Sequence, residues 1–322
     1  MQGDRTSTEG ETFDHLPIWV LRHNVIATFE EVAEHNGYCM NAVVSRGTVN
    51  PVIDWCCDRG RPRGPFVDLD TKTICLQESY LAFLWAMTYS SFVLYEEGVQ
   101  RRMLEGTFAG AIEYDTPLLI RARALGDWAE RFAGQYEPWN ERDLPNPRSY
   151  RDPQEKSLAE KTNEIFLRAV TYLLFHELGH LSEAHFQTDN DAEQLEQEKQ
   201  ADNFALSFLS DSASNEIQRR ISGAALVLLT TSSLFLATEF RQIWQRRHPH
   251  THDRIRHAIS GLNLQSQQSK DYVYYLASIR MRQFLIRHGL APEIWVEDTA
   301  EDLFFRYLDH CEQVLASRLV AP

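Results

Sequence analysis

Residues 176–180, with the sequence His-Glu-Leu-Gly-His, have the types and the spacing that metal-dependent hydrolysis requires. On a helix, His176 and His180 lie on one face with their Cβ atoms about 5–6 Å apart, so both imidazoles can bind one ion. Glu177 projects about 100° round the helix from His176 and can reach a water molecule without binding the ion. A zinc ion there would lower the pKa of that water and polarise a carbonyl group, while the glutamate takes the proton.

A catalytic zinc site needs a third protein ligand, and a candidate follows on the next predicted helix. Glu198 and Asp202 are four residues apart and therefore share a helical face. The small residues Ala201 and Ala205 would let this helix approach the first one closely. We expect Glu198 to bind the metal, and Asp202 to accept the free ring N–H of a ligating histidine and so fix its tautomer.

Other side chains near the motif fit the third position less well. Glu193 and Glu196 are rival ligands on the second helix. Glu183 lies on the same helix as both histidines and His185 follows it closely, so neither is well placed to complete a tetrahedron. Phe186 stands where the longer motif of the metzincins has its third histidine, which excludes that class.

A histidine-rich stretch at 246–252 could fold back over the site. His248 could stabilise the developing oxyanion or occupy the open zinc position as a reversible plug, and an ordinary solvated loop is an equally good interpretation. Arg254 could pair with Asp202 or with a neighbouring carboxylate. We interpret His250 and His252 as solvated residues before a helix.

The motif also has a purely structural interpretation, in which an amphipathic helix carries histidine and glutamate on its surface by chance. Three features favour a zinc hydrolase instead. Residues 172–175 form an apolar turn before the motif, Gly179 lies inside it, and an ExxAD pattern occurs on the following helix.

Apolar residues at steps of three and four predict a mainly α (α+β) fold. A long helix at 155–184 carries the motif, and a second helix at 192–209 begins after a cap at Asn190 or Asp191. The other helices predicted in the second half are 216–245, 253–262, 271–288 and 298–318. A small sheet is expected in the N-terminal half, from short β-like runs separated by glycine and proline turns. These runs are 42–44, 66–68 and 73–76.

Three parts of the chain are predicted. Residues 1–14 have no apolar periodicity and are expected to form a disordered tail. Segment 139–153 contains three prolines and two asparagines and is interpreted as a connector. It separates an N-terminal α/β recognition or regulatory region at 15–138 from a helical, zincin-like metallopeptidase region at 139–322.

The composition limits the partners and the compartment. A net charge of −14 disfavours a nucleic-acid binder. The five cysteines form no CxxC pair and suit free thiols in a reducing cytoplasm. The N-terminus has no basic segment followed by an apolar one, so no secretion signal is expected.

Two uncharged runs, 79–95 and 221–238, approach the length of a membrane span. Hydroxyl residues interrupt both runs, and arginines flank the second on both sides. We therefore favour buried core helices, with membrane association as an open but less favoured alternative.

The motifs resemble those of gluzincins, peptidases in which an HExxH helix is followed by an ExxAD helix. Residues 248–255 resemble the HPxxxxRI signature of the membrane-linked M48 metallopeptidases, with His248, Pro249, Arg254 and Ile255 in register. A more specific resemblance is to the Lit-type phage-exclusion peptidases of family U49. It rests on LPNP at 144–147, on the helix leading into FHELGH, and on ExxAD after it.

The resemblance to family U49 implies a bacterial cytoplasmic endopeptidase that cleaves translation elongation factor Tu when a phage head-protein peptide is present. His176, His180 and Glu198 would bind zinc, and Glu177 would be the catalytic base.

The sequence thus predicts a zinc-dependent endopeptidase that hydrolyses a peptide bond in a specific intracellular protein, as a gated defence or toxin effector. Its expected partners are a protein substrate and a peptide or protein activator. The alternatives are a membrane-associated, M48-like quality-control peptidase and a non-catalytic binding module that zinc stabilises.

Overall fold

The computed structural model describes residues 15–236, 251–262, 264–290 and 299–320. Within these residues the fold is mainly helical with one small sheet, which confirms the predicted fold class. In chain order the α-helices are α1 (Arg22–His35), α2 (Met40–Ser45), α3 (Glu78–Tyr95), α4 (Arg101–Leu104), α5 (Pro117–Gly134), α6 (Pro153–Ser182), α7 (Asp191–Asp211), α8 (Glu216–Ser233), α9 (Thr251–Gly261), α10 (Gln267–Arg287) and α11 (Ala300–Val320). Two 3-10 turns, Pro17–Leu21 and Leu234–Leu236, and a π-helical turn, Glu96–Gln100, complete the helical elements of the described residues.

The sheet has three strands, β1 (Asp54–Cys56), β2 (Phe66–Asp68) and β3 (Thr73–Gln77), in the order β1-β3-β2. The central strand β3 is parallel to β1 and antiparallel to β2. The β-like runs at 66–68 and 73–76 are thereby confirmed.

The strand predicted at 42–44 is wrong, because these residues lie in α2. Strand preference depends on having a neighbouring strand and a half-buried face. Here Val43 alone is buried within α2, which packs against α1.

Helix α6, which carries the HExxH motif, has clear signals at both ends. Its first turn contains Pro153, and the Asp152 side chain accepts a hydrogen bond from the Glu155 N–H at 2.8 Å. At the other end, the Ala184 N–H donates to the Leu181 carbonyl at 3.3 Å, and the next N–H donates to the His180 carbonyl at 2.9 Å. This pair of bonds is a Schellman motif, with Ala184 in the left-handed position at φ 54°. The helix therefore ends at Ser182, two residues before the predicted end.

Helix α7 is capped by Asn190, one of the two predicted caps, whose side chain accepts from the N–H groups of Ala192 and Glu193. It packs against α6 at Gly179, where an added Cβ would lie 3.1 Å from the Cα of Ala201. The missing side chain at 179 thus permits the close approach of the two helices.

Helix α3 lies in the core, since each of its residues is buried. It packs against α5, α6 and α8, so the run at 79–95 is a core helix, as predicted. The described part of the second uncharged run lies in α8 and in the turn after it, and residues 222–232 are buried. No helix among the described residues combines the length and the apolar character that crossing a membrane would require.

The hydrophobic core extends through both of the predicted regions. The rings of Phe29 in α1 and Phe175 in α6 have their centroids 4.6 Å apart. Trp85 of α3 donates a hydrogen bond to the Asn163 side chain of α6 at 2.7 Å. The division at 138/139 stays a prediction. The predicted tail at 1–14 and the end of the helix predicted at 216–245 lie outside the described residues.

Candidate metal centre

The three predicted ligands face one another between α6 and α7. The Nε2 atoms of His176 and His180 are 3.3 Å apart. The Glu198 carboxylate places Oε2 at 3.6 Å from Nε2 of His176 and Oε1 at 3.6 Å from Nε2 of His180. A tetrahedral ion with bonds of about 2.1 Å would separate its ligand atoms by about 3.4 Å. The three side chains therefore fit the binding of a single ion.

This cluster is buried. His176 and Glu198 are only 6% and 8% exposed. The residue before the motif, Phe175, packs between Phe29 of α1 and Phe208 of α7, and its ring stacks on Phe208 at 4.2 Å. The burial argues against the interpretation of these side chains as surface residues of an amphipathic helix.

Asp202 lies directly behind His176, at the centre of an array of donors. Its Oδ1 accepts a hydrogen bond from the Tyr172 hydroxyl at 3.0 Å. Arg254 of α9 donates from Nε to Oδ2 at 2.9 Å and from Nη2 to Oδ1 at 2.5 Å. Nδ1 of His176 lies 2.9 Å from Oδ1, within ion-pair distance. The structure thus brings Asp202 together with both of its predicted partners.

These contacts shift the pKa values of the cluster. Burial alone would raise the pKa of Asp202, but Arg254 and His176 hold it well below its ordinary value. Burial lowers the pKa of His176, yet the neighbouring carboxylates of Asp202 and Glu198 outweigh this and raise it to about 10. Burial and the neighbouring His176 lower the pKa of His180 to about 4.

Glu177 is buried beside the candidate ligands and is 6% exposed. The backbone N–H of Val67 in β2 lies near its carboxylate and lowers its pKa. Burial raises the pKa of Glu177 to about 7, and the nearby Glu198 also raises it, whereas His176 and Arg254 lower it. A carboxyl group with this pKa can accept and release a proton near neutral pH.

Three residues of the site were not anticipated as participants. His185 was considered only as a ligand, but its Nδ1 lies 2.9 Å from Nδ1 of His180, and its Nε2 lies 3.0 Å from Oε1 of Gln200. His185 and Gln200 therefore support the ring of His180, as Asp202 supports that of His176. Of the three, Tyr172 could have been predicted from the sequence, since it precedes His176 by one helical turn.

The rival ligands lie away from the histidines. Glu193 and Glu196 are exposed; Glu193 accepts a hydrogen bond from Thr188 at 2.7 Å, and Glu196 accepts one from Gln200 at 3.4 Å.

The histidine-rich stretch cannot be assigned a place in the site. His248 and His250 lie outside the described residues, as does the side chain of His252. From the segment at 248–255 that resembles HPxxxxRI, the structure places Arg254 beside Asp202 in the candidate metal centre.

Fold and site together define a mainly helical protein with a candidate metal-dependent active site between two packed helices. The sequence profile described as Peptidase U49 matches residues 74–277, more than half of the chain, and the chain belongs to this peptidase family. The matched part begins in β3 and ends in α10, so it includes α6, α7 and Arg254. Comparison with curated proteins and with solved structures gave no match.

Proposed function

We propose that the protein is a zinc-dependent endopeptidase that cleaves a specific intracellular protein. Membership of a peptidase family supports the reaction class. The observation that carries the metal dependence is the spacing of 3.3–3.6 Å among the donor atoms of His176, His180 and Glu198. Two imidazoles and one carboxylate are a donor set that catalytic zinc sites use, with a fourth position open.

In this proposal His176, His180 and Glu198 hold the ion, and Glu177 moves the proton. Zinc supplies a Lewis acid that polarises the scissile carbonyl and acidifies a water molecule. Glu177 takes a proton from the attacking water and returns it to the leaving amine. Burial of Glu177 raises its affinity for this proton above that of an exposed glutamate.

Two sets of contacts position the ligands. Asp202 orients His176 and is itself held by Arg254 and Tyr172. His185, supported by Gln200, orients His180. Such contacts fix the ring orientation and raise the basicity of a ligating histidine.

The position of Glu177 beside β2 supports a polypeptide substrate. Strand β2 is at the edge of the sheet, and its residue Val67 contacts the proposed base through the backbone. An extended polypeptide can add to such an edge by main-chain hydrogen bonds. We propose that the scissile bond approaches Glu177 along β2.

The finer assignment is a gated defence or toxin effector with elongation factor Tu as its target and a phage peptide as its activator. It is supported by the resemblance of the LPNP, FHELGH and ExxAD segments to the Lit-type peptidases. His248 remains our candidate for oxyanion stabilisation or for a reversible plug.

The test compares the wild-type protein with Glu177→Gln, expressed in a bacterial host with and without the phage head-protein peptide. We expect both proteins to bind one zinc ion at the His176–His180–Glu198 site. New protein N-termini should appear only with wild type, and a dominant cut in a translation factor would support the proposed target. If the variant gives the same N-termini as wild type, the proposed mechanism is wrong. If neither protein produces new N-termini but expression of each one arrests growth equally, the protein is better described as a non-catalytic binding module.

A further inference from the structure

A second cluster of metal-ligating side chains lies at the start of α3 and shares no residue with the candidate metal centre. His15, Cys57 and Glu78 each offer one donor atom, and these atoms all lie within 4.8 Å of one another. The three residues come from separate segments of the chain. His15 precedes the turn Pro17–Leu21, Cys57 follows β1, and Glu78 is the first residue of α3.

Two donor atoms of this cluster are buried without a hydrogen bond from any described residue. They are Oε1 of Glu78 and Nδ1 of His15. Nδ1 of His15 lies 3.5 Å from the other Glu78 oxygen, Oε2, which is within ion-pair range but long for a hydrogen bond. Glu78 is only 6% exposed. Buried polar atoms normally have partners, so an unsatisfied carboxylate oxygen and an unsatisfied imidazole nitrogen in the same cluster need an explanation.

Burial makes it unfavourable for Glu78 and Cys57 to carry a negative charge without a cation beside them. It raises the pKa of the Glu78 carboxyl group, which His15 and Arg59 lower only in part. It also raises the pKa of the Cys57 thiol to about 11, and the nearby Glu78 adds to this rise. A cation among the three donors would offset both effects, because it stabilises carboxylate and thiolate together.

The donor types select the class of cation. A thiolate and an imidazole bind zinc and similar first-row transition ions, whereas calcium and magnesium prefer oxygen ligands only. A tetrahedral zinc ion separates its ligand atoms by about 3.4–3.8 Å when its bonds are about 2.1–2.3 Å. The three donor atoms lie within 4.8 Å of one another, so they need to move together by only about 1 Å to reach this spacing.

The side chains around the cluster are held by aromatic contacts. The ring of His15 stacks on Trp19 at 3.9 Å, and Trp19 meets Trp55 of β1 edge-on at 6.0 Å. The thiol of Cys57 donates to the Trp55 carbonyl at 3.5 Å. These contacts restrain the side chains of His15 and Cys57 within the cluster.

We propose that His15, Cys57 and Glu78 form a second metal site for zinc or a similar transition ion, with water in its fourth position. The ion ties the segment before the first helical turn to the end of β1 and to the start of α3. The site is independent of the proposed peptidase activity, which uses none of these residues.

Cobalt tests the proposal, because a thiolate-to-cobalt charge-transfer band in the near ultraviolet needs a cysteine ligand. The candidate metal centre between α6 and α7 has no cysteine, so the band reports on the second site alone. The metal-free full-length protein is titrated with Co²⁺, and bound Zn²⁺ is counted separately by elemental analysis.

Wild type should bind two equivalents and develop the band. Cys57→Ser should bind one equivalent without the band, and His15→Gln should weaken the second equivalent at least tenfold. The matched control Cys56→Ser, at the neighbouring exposed cysteine, should behave as wild type. His180→Ala should lose the other equivalent and keep the band.

Two results would overturn the second site. One is a wild-type protein that binds a single equivalent and develops no charge-transfer band. The other is a Cys57→Ser protein with native circular dichroism that still binds two equivalents. Neither result depends on whether the protein cleaves a substrate.

Discussion

Asp202 receives more donors than the orientation of one histidine requires. Arg254 and Tyr172 both donate to it, and His176 lies within 2.9 Å. A buried carboxylate held by a bidentate arginine stays charged and fixed in position. Asp202 is therefore suited to orient His176 whatever the pH, and its loss should be felt at the metal.

We expect Asp202→Asn to weaken zinc binding about 10- to 100-fold, the usual effect of removing a carboxylate that supports a metal-binding histidine. Zinc affinity is measured by competition with a chelating dye. The control is Tyr172→Phe, which removes one hydrogen bond to Asp202 and leaves its charge, and should have a smaller effect. Equal affinity in wild type and Asp202→Asn would show that this carboxylate does not position the ligand.

The proposed base should lower the stability of the metal-free protein at neutral pH. Burial raises the pKa of Glu177 from 4.5 to about 7, so the folded state holds this proton more tightly than the unfolded state does. The stability that the folded state gains from holding this proton is fully present below pH 4.5. It is lost as the pH rises through about 7. The loss is on the order of 3 kcal/mol, from 1.36 kcal/mol per pKa unit.

Glu177→Gln removes this titration and keeps the shape of the side chain. In chelator-treated samples, the free energy of unfolding of the variant minus that of wild type should grow between pH 4.5 and 7 and then level off. Urea denaturation at a series of pH values measures it. A difference that is constant across this range would mean that Glu177 titrates normally.

At the scale of single residues, the sequence predicts those side chains of the candidate site that share a helical face or belong to a known motif. The two histidines, Glu198 and the pairing of Asp202 with Arg254 were all expected. The role of His185 was not, because it depends on the Schellman turn after α6, in which Ala184 adopts a conformation more typical of glycine.

At the scale of elements, the candidate metal centre depends on the distance between α6 and α7. This distance is set at Gly179, where a Cβ would lie 3.1 Å from the Ala201 Cα and 3.3 Å from the Phe204 Cβ. Backbone at that distance cannot move aside as a side chain can. Overpacking of this kind costs about 1–3 kcal/mol, whereas alanine gains at most about 1 kcal/mol over glycine within a helix.

We therefore expect Gly179→Ala to push α7 outward, withdraw Glu198 from the histidines and weaken zinc binding at least tenfold. The matched control is Gly134→Ala at the end of α5, where an added Cβ meets nothing within 4 Å. Zinc titration and circular dichroism are measured on both variants. Wild-type zinc affinity in Gly179→Ala would show that the helices have room to spare.

The long helices were predictable because apolar periodicity runs along them and, for α7, a cap at Asn190 agrees with it. Short elements were less predictable, since a run of three apolar residues fits a strand or a helix equally well. Tertiary contacts decide between them, as the packing against α1 does for the residues at 42–44.

At the scale of the whole molecule, the core joins the regions on either side of the predicted boundary at 138/139. Helix α6 rests on α1 through Phe29 and Phe175, and on α3 through Trp85 and Asn163. A fragment of residues 139–322 would expose these apolar faces to water.

We expect that fragment to lack cooperative thermal unfolding and to bind zinc at least a hundredfold more weakly than the full chain. Differential scanning calorimetry and zinc titration of both measure this. The full-length Glu177→Gln protein is the control, because it keeps every core contact. A fragment that unfolds cooperatively and binds zinc normally would instead support two independent domains.

The complete burial of α3 has a consequence for the evolution of this family. A helix with one solvent face accepts substitutions at every third or fourth position, but α3 has no such face. Homologous chains should therefore be restricted along its whole length. Hydropathy alone would not reveal this restriction, because serine, threonine and tyrosine residues alternate with the apolar ones along α3. An alignment of relatives should therefore show little variation at these hydroxyl positions as well as at the apolar ones.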